Sequence, residues 1–268
     1  MGKVIAVCTS DRKGIQKKDV STAHFSAEWG IDGDAHAGKW HRQISLLSAD
    51  KIEAFNKRGA NVIPGAFGEN LVVEGFDFRA LPVGTLLRCN DVLLEMTQIG
   101  KECHSHCEIY KKMGDCIMPR EGVFARVLEP GTISVGDEMT IVPREGHFPW
   151  QAAVITLGES GSGEPIAKRL RDAGYAVVEE PAIPDDARVL KQQLIRLCDQ
   201  RRLDLILVTG GASSAAQEAM SAVSDKPAPG IASAVIRGKT LIAADPEEHM
   251  DALMDSAPQV MESLRNGR

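Results

Sequence analysis

Aromatic residues are scarce in this 268-residue chain, at 4%. That argues against a surface on which nucleic-acid bases stack. Excess positive charge is lacking too: 31 Lys and Arg face 37 Asp and Glu, a formal net charge of −6. Without a basic footprint no nucleic-acid partner is expected. Long apolar runs are missing; the run over residues 203–208 is broken by Asp204 and falls far short of a bilayer span, so no membrane partner is expected. The opening MGKVIAVCTSDRKG has no long apolar core of a signal peptide, so the expected compartment is the cytoplasm, where thiols stay reduced. The 25 Gly and 13 Pro follow no period, which excludes a collagen-like or low-complexity chain. Six Cys are too few for a disulfide scaffold at this length. What remains is an ordinary globular composition, 43% apolar and 25% charged.

The two halves differ in kind. Residues 1–145 hold five of the six Cys and most of the His. Their short apolar or alternating runs, at 3–9, 43–47, 70–73, 85–89, 92–97 and 138–141, read as strands. A helix is expected over 48–57 with Ser48 as N-cap. Many short strands with few helices suggest a β-barrel or curled sheet. Residues 143–150, PREGHFPW, read as a linker. From 151 to 268 strands (152–156, 175–179, 203–209, 240–244) alternate with helices (164–173, 186–201, 247–264). That rhythm predicts a three-layer α/β domain with a largely parallel sheet. The fold class is thus α/β overall, with a mostly-β barrel first.

Cys103, Cys107 and Cys116 fall within 14 residues, with His104 and His106 between the first two. Cys8, Cys89 and Cys198 sit in apolar patterns and read as packing residues. Three readings of the cluster stand. Lys101 and the imidazoles can stabilise a thiolate that carries sulfur or ligates a soft metal. Cys103, His104 and His106 can hold a structural zinc or iron. Some of these Cys can simply be buried. Two upstream motifs add candidates: His36, His41, Arg42 and Gln43 in GDAHAGKWHRQISLL, and Phe67, Gly68, Glu69 and Asn70 in PGAFGENL. Gly-rich turns let backbone amides approach a ligand, and the Arg42 fork suits phosphate.

With these motifs, the Cys segment and LEPGTISVGDEM at 128–139, residues 1–143 resemble a MOSC domain. That is the β-barrel module found at the C-terminus of molybdenum cofactor sulfurases and as free-standing proteins. The resemblance implies a Cys that carries sulfur or contacts the metal of the pterin cofactor, and Cys103 is the position most like it. Cys107 and Cys116 are additional thiols able to close a disulfide after transfer. His36, His41, Arg42, Gln43, Phe67–Asn70, Lys101 and Arg120 then become candidates for holding the cofactor.

Residues 151–265 resemble the molybdopterin-binding domain of the molybdopterin adenylyltransferase family. The likeness rests on IPDD at 183–186, DLILVTGG at 204–211 and IASAVIRGKTLIA at 231–243. It implies that Gly210 and Gly211 hold cofactor phosphate. The chain departs from the family after Gly211 (ASSAA), in the short connection 215–231 and in the loop after 158. The scaffold is expected to persist without adenylyl transfer.

The leading expectation is handling of a molybdenum or tungsten cofactor, with sulfurtransferase-type activity by a MOSC thiolate. Its partners would be the cofactor, a cysteine desulfurase-type sulfur donor and a molybdo- or tungstoenzyme acceptor. Nothing resembles a desulfurase domain, so pyridoxal phosphate is not expected. The alternatives are a non-catalytic molybdopterin carrier or insertion chaperone, and a purely structural zinc or iron site. A homo-oligomer is compatible with the sequence.

Overall fold

The computed structural model describes residues 1–101, 103, 107–143, 149–158, 163–210, 213–244 and 246–265. His104, His106 and Gly211, three of the sequence candidates, lie outside the described residues. The chain divides into two compact units, Met1–Glu145 and Gly146–Arg268.

The first unit carries strands β1 (Gly2–Thr9), β2 (Lys18–Asp19), β3 (Thr22–Ser26), β4 (Gly30–Ile31), β5 (Ile44–Ser48), β6 (Leu71–Glu74), β7 (Leu86–Cys89), β8 (Val92–Ile99), β9 (Val123–Glu129), β10 (Gly131–Ser134) and β11 (Glu138–Val142). Its helices are α1 (Ala49–Asn56), α2 (Glu108–Met113) and α3 (Met118–Glu121). Seven strands close a barrel in the order β11-β7-β8-β9-β5-β6-β1, with β1 pairing back to β11. Closure removes the exposed edges that an open sheet would present. All neighbours are antiparallel except β5 and β6. Strand β2 extends β1, and β10-β3-β4 form a small separate sheet.

Two apolar cores explain why β8 is buried at all eight positions. Inward side chains such as Val4, Leu46, Leu94, Met96 and Val127 fill the barrel. On the outer wall, Ala6, Cys8, Leu47 and Phe124 pack with Ile52 and Phe55 of α1 and with Cys116, Ile117 and Met118. Ser48 does precede α1, but its hydroxyl donates to the Phe76 carbonyl (2.6 Å) instead of capping the helix. Strand β9 went unpredicted. Its buried run ends in charged residues and lacks the alternation that marks a strand.

The second unit carries β12 (Gln151–Leu157), α4 (Gly163–Asp172), β13 (Ala176–Glu179), β14 (Ala182–Ile183), α5 (Ala187–Ile195), β15 (Leu205–Thr209), α6 (Ser214–Val223), β16 (Lys226–Pro227), β17 (Ala234–Arg237), β18 (Thr240–Ala244) and α7 (Pro246–Arg265). Strands β13-β12-β15-β18 run parallel, and β14 also pairs parallel with β12. Antiparallel β17 and β16 complete a mixed sheet. Apolar clusters line both faces: one includes Ile166, Leu170 and Leu253, the other Leu190, Leu194, Ala219 and Met220. The helix expected over 186–201 is α5 followed by a π-helical turn at Arg196–Gln200. Helix α6 occupies the stretch that looked like a bare connection, because its small Ser and Ala residues carry little hydrophobic period.

Leu46 is wholly buried inside the barrel. Leu46→Ala is expected to cost about 2–5 kcal/mol, read as a lower urea midpoint with unchanged slope.

Candidate functional site

The two Gly-rich motifs converge on a buried carboxylate. Asp34 accepts hydrogen bonds from the Ser10 amide (3.2 Å), the His36 amide (2.8 Å), the Asn70 side-chain amide (3.1 Å) and the Lys17 ammonium. Lys17 and Asp34 form an ion pair with both side chains 1% exposed. Burial opposes ionisation of Asp34, yet its bonds to His36 and Lys17 hold the carboxyl well below the usual carboxylate range. Burial likewise depresses Lys17, against the pull of Asp34. Asn70 donates also to the Cys8 carbonyl (3.0 Å) and accepts the Ser45 hydroxyl (2.9 Å). One side chain thus ties β1, β5 and the 65–70 turn together. Lys17 was absent from the sequence candidates. A lone Lys in the polar stretch GIQKKD carries no pattern to single it out.

The PGAFGEN turn does not offer its amides to a ligand. Glu69 is fully buried, and its two carboxylate oxygens accept the amides of Gly65 (2.8 Å) and Phe67 (3.0 Å). The amides of Ala66 and Gly68 bond to the carbonyls of Ile63 and Gly65. Gly65 has φ +87°, and a Cβ there would fall on the Lys17 carbonyl. Burial pushes the Glu69 carboxyl up to about 7 despite these bonds and nearby Lys17. Phe67 packs edge-on to Phe55, with centroids 5.5 Å apart. Phe67, Gly68, Glu69 and Asn70, all cofactor candidates, are thus engaged in bonds and packing within the turn. Gln43 is buried and accepts the Val127 amide (2.8 Å).

A second group is partly buried. The Arg42 guanidinium lies 4.8 Å from the Trp40 ring and 5.6 Å from Phe124, a stacked arrangement that orders a cation. The Trp40 indole donates to the His36 carbonyl (3.0 Å) and keeps 39% exposure. His41 bonds through Nε2 to Gln98 Oε1 (2.9 Å), and Thr97 donates to the His41 carbonyl. His36 Nδ1 stands 3.4 Å from Asp34. Gln98 holds the Gly100 carbonyl (2.7 Å), and Gly100 turns the chain at φ +70° towards Lys101 and Cys103. Arg120 is less available than expected, because its fork is paired with Asp115 (3.0 and 3.1 Å).

The thiols divide sharply. Cys103 and Cys107 are exposed, whereas Cys116 is buried in the outer core. Burial pushes the Cys116 thiol up to about 11. Cys116 thus packs in the outer core, where burial disfavours its thiolate. Among the described residues no three His, Cys, Asp or Glu gather into a metal-holding group.

In the second unit β15 ends in Thr209, wholly buried, and Gly210 at φ +73°. The Thr209 hydroxyl has no hydrogen-bond partner among the described residues. This is the carboxyl end of a parallel strand, where α/β sheets receive ligands. The two acids nearby have local duties. Asp186 caps α5 through the amides of Arg188 (2.8 Å) and Val189 (3.0 Å), and Asp185 accepts the Ser213 hydroxyl (2.8 Å).

The family model described as "MOSC domain" matches residues 33–140. The chain carries a MOSC domain. A second model, "Probable molybdopterin binding domain", matches residues 131–241, so a domain of that type follows. The two matches overlap at 131–140, which the structure gives to β10 and the start of β11 in the first unit. Strand β1 and Lys17 lie ahead of the MOSC match, although they complete its barrel and its buried ion pair. Similar solved structures include YiiM from Geobacillus stearothermophilus, at 19% identity over 54% of this chain and 76% of that one (TM-score 0.43). YiiM from Escherichia coli matches at 19% over 55% and 72% (TM-score 0.40). The molybdopterin biosynthesis enzyme MoaB from Thermus thermophilus matches at 20% over 43% and 94% (TM-score 0.36). The two domain matches support a role in molybdenum cofactor metabolism. Among the described residues no helix is long and apolar enough to cross a membrane.

Lys17→Met would leave Asp34 buried without its cation and is expected to cost about 3–5 kcal/mol in chemical denaturation. Glu69 gives a pH signature. Its carboxyl is raised from the ordinary 4.5 to about 7 in the folded state, so its stabilising contribution is full below 4.5 and is lost as pH rises through 7. Asp34, held low, does not titrate in that window. Relative to Glu69→Gln, the wild-type protein should lose stability between pH 4.5 and 7 in urea melts; a flat difference would show that Glu69 ionises normally.

Proposed function

We propose that this chain handles the pterin-bound molybdenum or tungsten cofactor as substrate, with the Cys103 thiolate carrying sulfur to the metal or ligating it. The observation that carries this reading is the exposure of Cys103 just beyond the β8 exit, within a domain matched as MOSC. Thiolate is the form that attacks sulfane sulfur and binds soft metals. Lys101, two residues before Cys103, supplies positive charge in the same segment.

The donor set of this unit suits an anionic, planar substrate. Arg42, ordered against Trp40 and Phe124, offers a cation to phosphate. His41, oriented by Gln98, and His36, beside Asp34, add polar contacts. Asn70 supports His36 from within, through Asp34. The bound cofactor supplies a metal centre that accepts sulfide; the protein's part is to bind, to orient and to hold a thiolate in solvent reach. The sulfur donor is taken to be an external cysteine desulfurase-type protein, and the acceptor a molybdo- or tungstoenzyme.

The second domain is read as a binding scaffold. Its buried Thr209 hydroxyl and the Gly210 turn suit an anionic group at the sheet's carboxyl end. Asp185 and Asp186 are engaged in a side-chain bond and a helix cap, which favours binding without adenylyl transfer.

The test is what the purified chain carries and what Cys103 does. Metal analysis and fluorescence of oxidised pterin should reveal bound cofactor. Cys103→Ser should keep the pterin but lose cyanide-labile sulfur at least tenfold. Failure of the wild-type protein to bind any pterin removes the reading, and full sulfur loading by Cys103→Ser assigns the role to another residue.

A further inference from the structure

The six thiols separate into two classes by solvent access. Cys8, Cys89 and Cys198 are buried and pushed up to about 12, and Cys116 to about 11. Desolvation disfavours their thiolates, so at neutral pH these four are poor nucleophiles. Only Cys103 and Cys107 are exposed. They are four residues apart, with Cys107 at the N-cap of α2. Both belong to the segment that joins β8 to α2. The Gly100 turn, closely approached by the Pro119 carbonyl, fixes where the chain leaves β8. Cys116 neighbours Ile117 and Met118 in the outer core, and Cys103, Cys107 and Lys101 are among the groups that bear on its thiol. Helix α2 is fastened to the same wall by Lys112, whose ammonium bonds the Ala60 carbonyl (2.8 Å).

We propose that Cys103 and Cys107 form a reactive dithiol, in which Cys107 discharges a Cys103 persulfide as sulfide and closes a Cys103–Cys107 disulfide. This rests on the sulfur-carrying reading above and assigns a second residue to it. Loading moves one sulfur from a donor persulfide: the Cys103 thiolate bonds the donor's outer sulfur, and the donor leaves as its thiolate. In discharge the Cys107 sulfur attacks Cys103 Sγ. The bond from Cys103 Sγ to the outer sulfur breaks, and that sulfur leaves with the electron pair as hydrosulfide. The Cys107 thiol proton is released or ends on the sulfide. The outer sulfur is reduced from the sulfane level to sulfide, and the two cysteine sulfurs are oxidised to the disulfide. An external dithiol reductant reopens that bond and becomes a disulfide itself. Three intervening residues make a small ring, so closure carries little loop entropy.

This chemistry gives the domain a reason for a second exposed thiol. A persulfide alone needs an outside thiol to release its sulfur as sulfide. A neighbouring thiol makes the step intramolecular and times it to the loaded protein. Buried Cys116 is excluded as the partner.

The test uses the full chain. It is first equilibrated in glutathione redox buffers, alkylated without denaturant and digested. Peptide mass spectrometry should find the Cys103–Cys107 disulfide, with Cys116 alkylated only after unfolding. A disulfide to Cys116, or stoichiometric zinc held by the two exposed thiols, overturns the proposal. In the second experiment the chain is loaded with glutathione persulfide, freed of donor and followed for sulfide without added thiol. Wild type should release sulfide, while Cys107→Ser should release it at least tenfold more slowly and keep its cyanide-labile sulfur. Equal release by Cys107→Ser overturns the dithiol and leaves sulfur carrying intact. A wild-type chain that takes up no sulfane sulfur overturns both.

Discussion

The buried ion pair between Lys17 and Asp34 is the constraint on which the first domain's geometry depends. Two charges removed from water are costly unless each is neutralised and fully hydrogen-bonded. Here the carboxylate meets that demand by gathering donors from Ser10, Lys17, His36 and Asn70. Those residues come from distant parts of the sequence, so the electrostatic requirement becomes a packing instruction. It fixes the loop after β1, the 34–36 turn and the 65–70 turn against one another. His36, whose amide bonds Asp34, takes its place from that frame. A neutral core could be more stable, but it would not specify one arrangement of three polar loops as narrowly.

The elements that could be read in the sequence were those whose burial is one-sided or continuous. Strands β1, β5, β8 and β18 and helix α4 follow from their apolar runs and turn residues. Strand β9 and helix α6 did not stand out, since one lacks alternation and the other is built from small residues. The site was legible as motifs and illegible as roles. Gly-rich turns beside Glu and Asn look alike whether their amides face a ligand or a neighbouring carboxylate. Only the folded chain reveals that Glu69 occupies the turn that Gly65 and Gly68 open. Likewise the spacing of Cys103, Cys107 and Cys116 gives all three equal standing, and burial alone separates them.

The second domain's sheet stands independently of its loops. Its parallel strands bury apolar side chains on both faces, a requirement that does not depend on what the sheet's end binds. Residues at strand ends are under no such demand and can be recruited to local structure, as Asp185 and Asp186 have been. The Thr209 hydroxyl, buried with no bond among the described residues, is a different matter. An unsatisfied buried hydroxyl is unfavourable.

Once ionised, above about pH 7, the carboxylate of Glu69 is an anion the chain carries with it into its own amide cradle. A free phosphate in such a cradle would come and go with its concentration and with ionic strength. A tethered one is present at a fixed and very high local concentration. The turn therefore keeps one shape whether or not substrate is nearby, and the surface above it meets each incoming molecule already assembled.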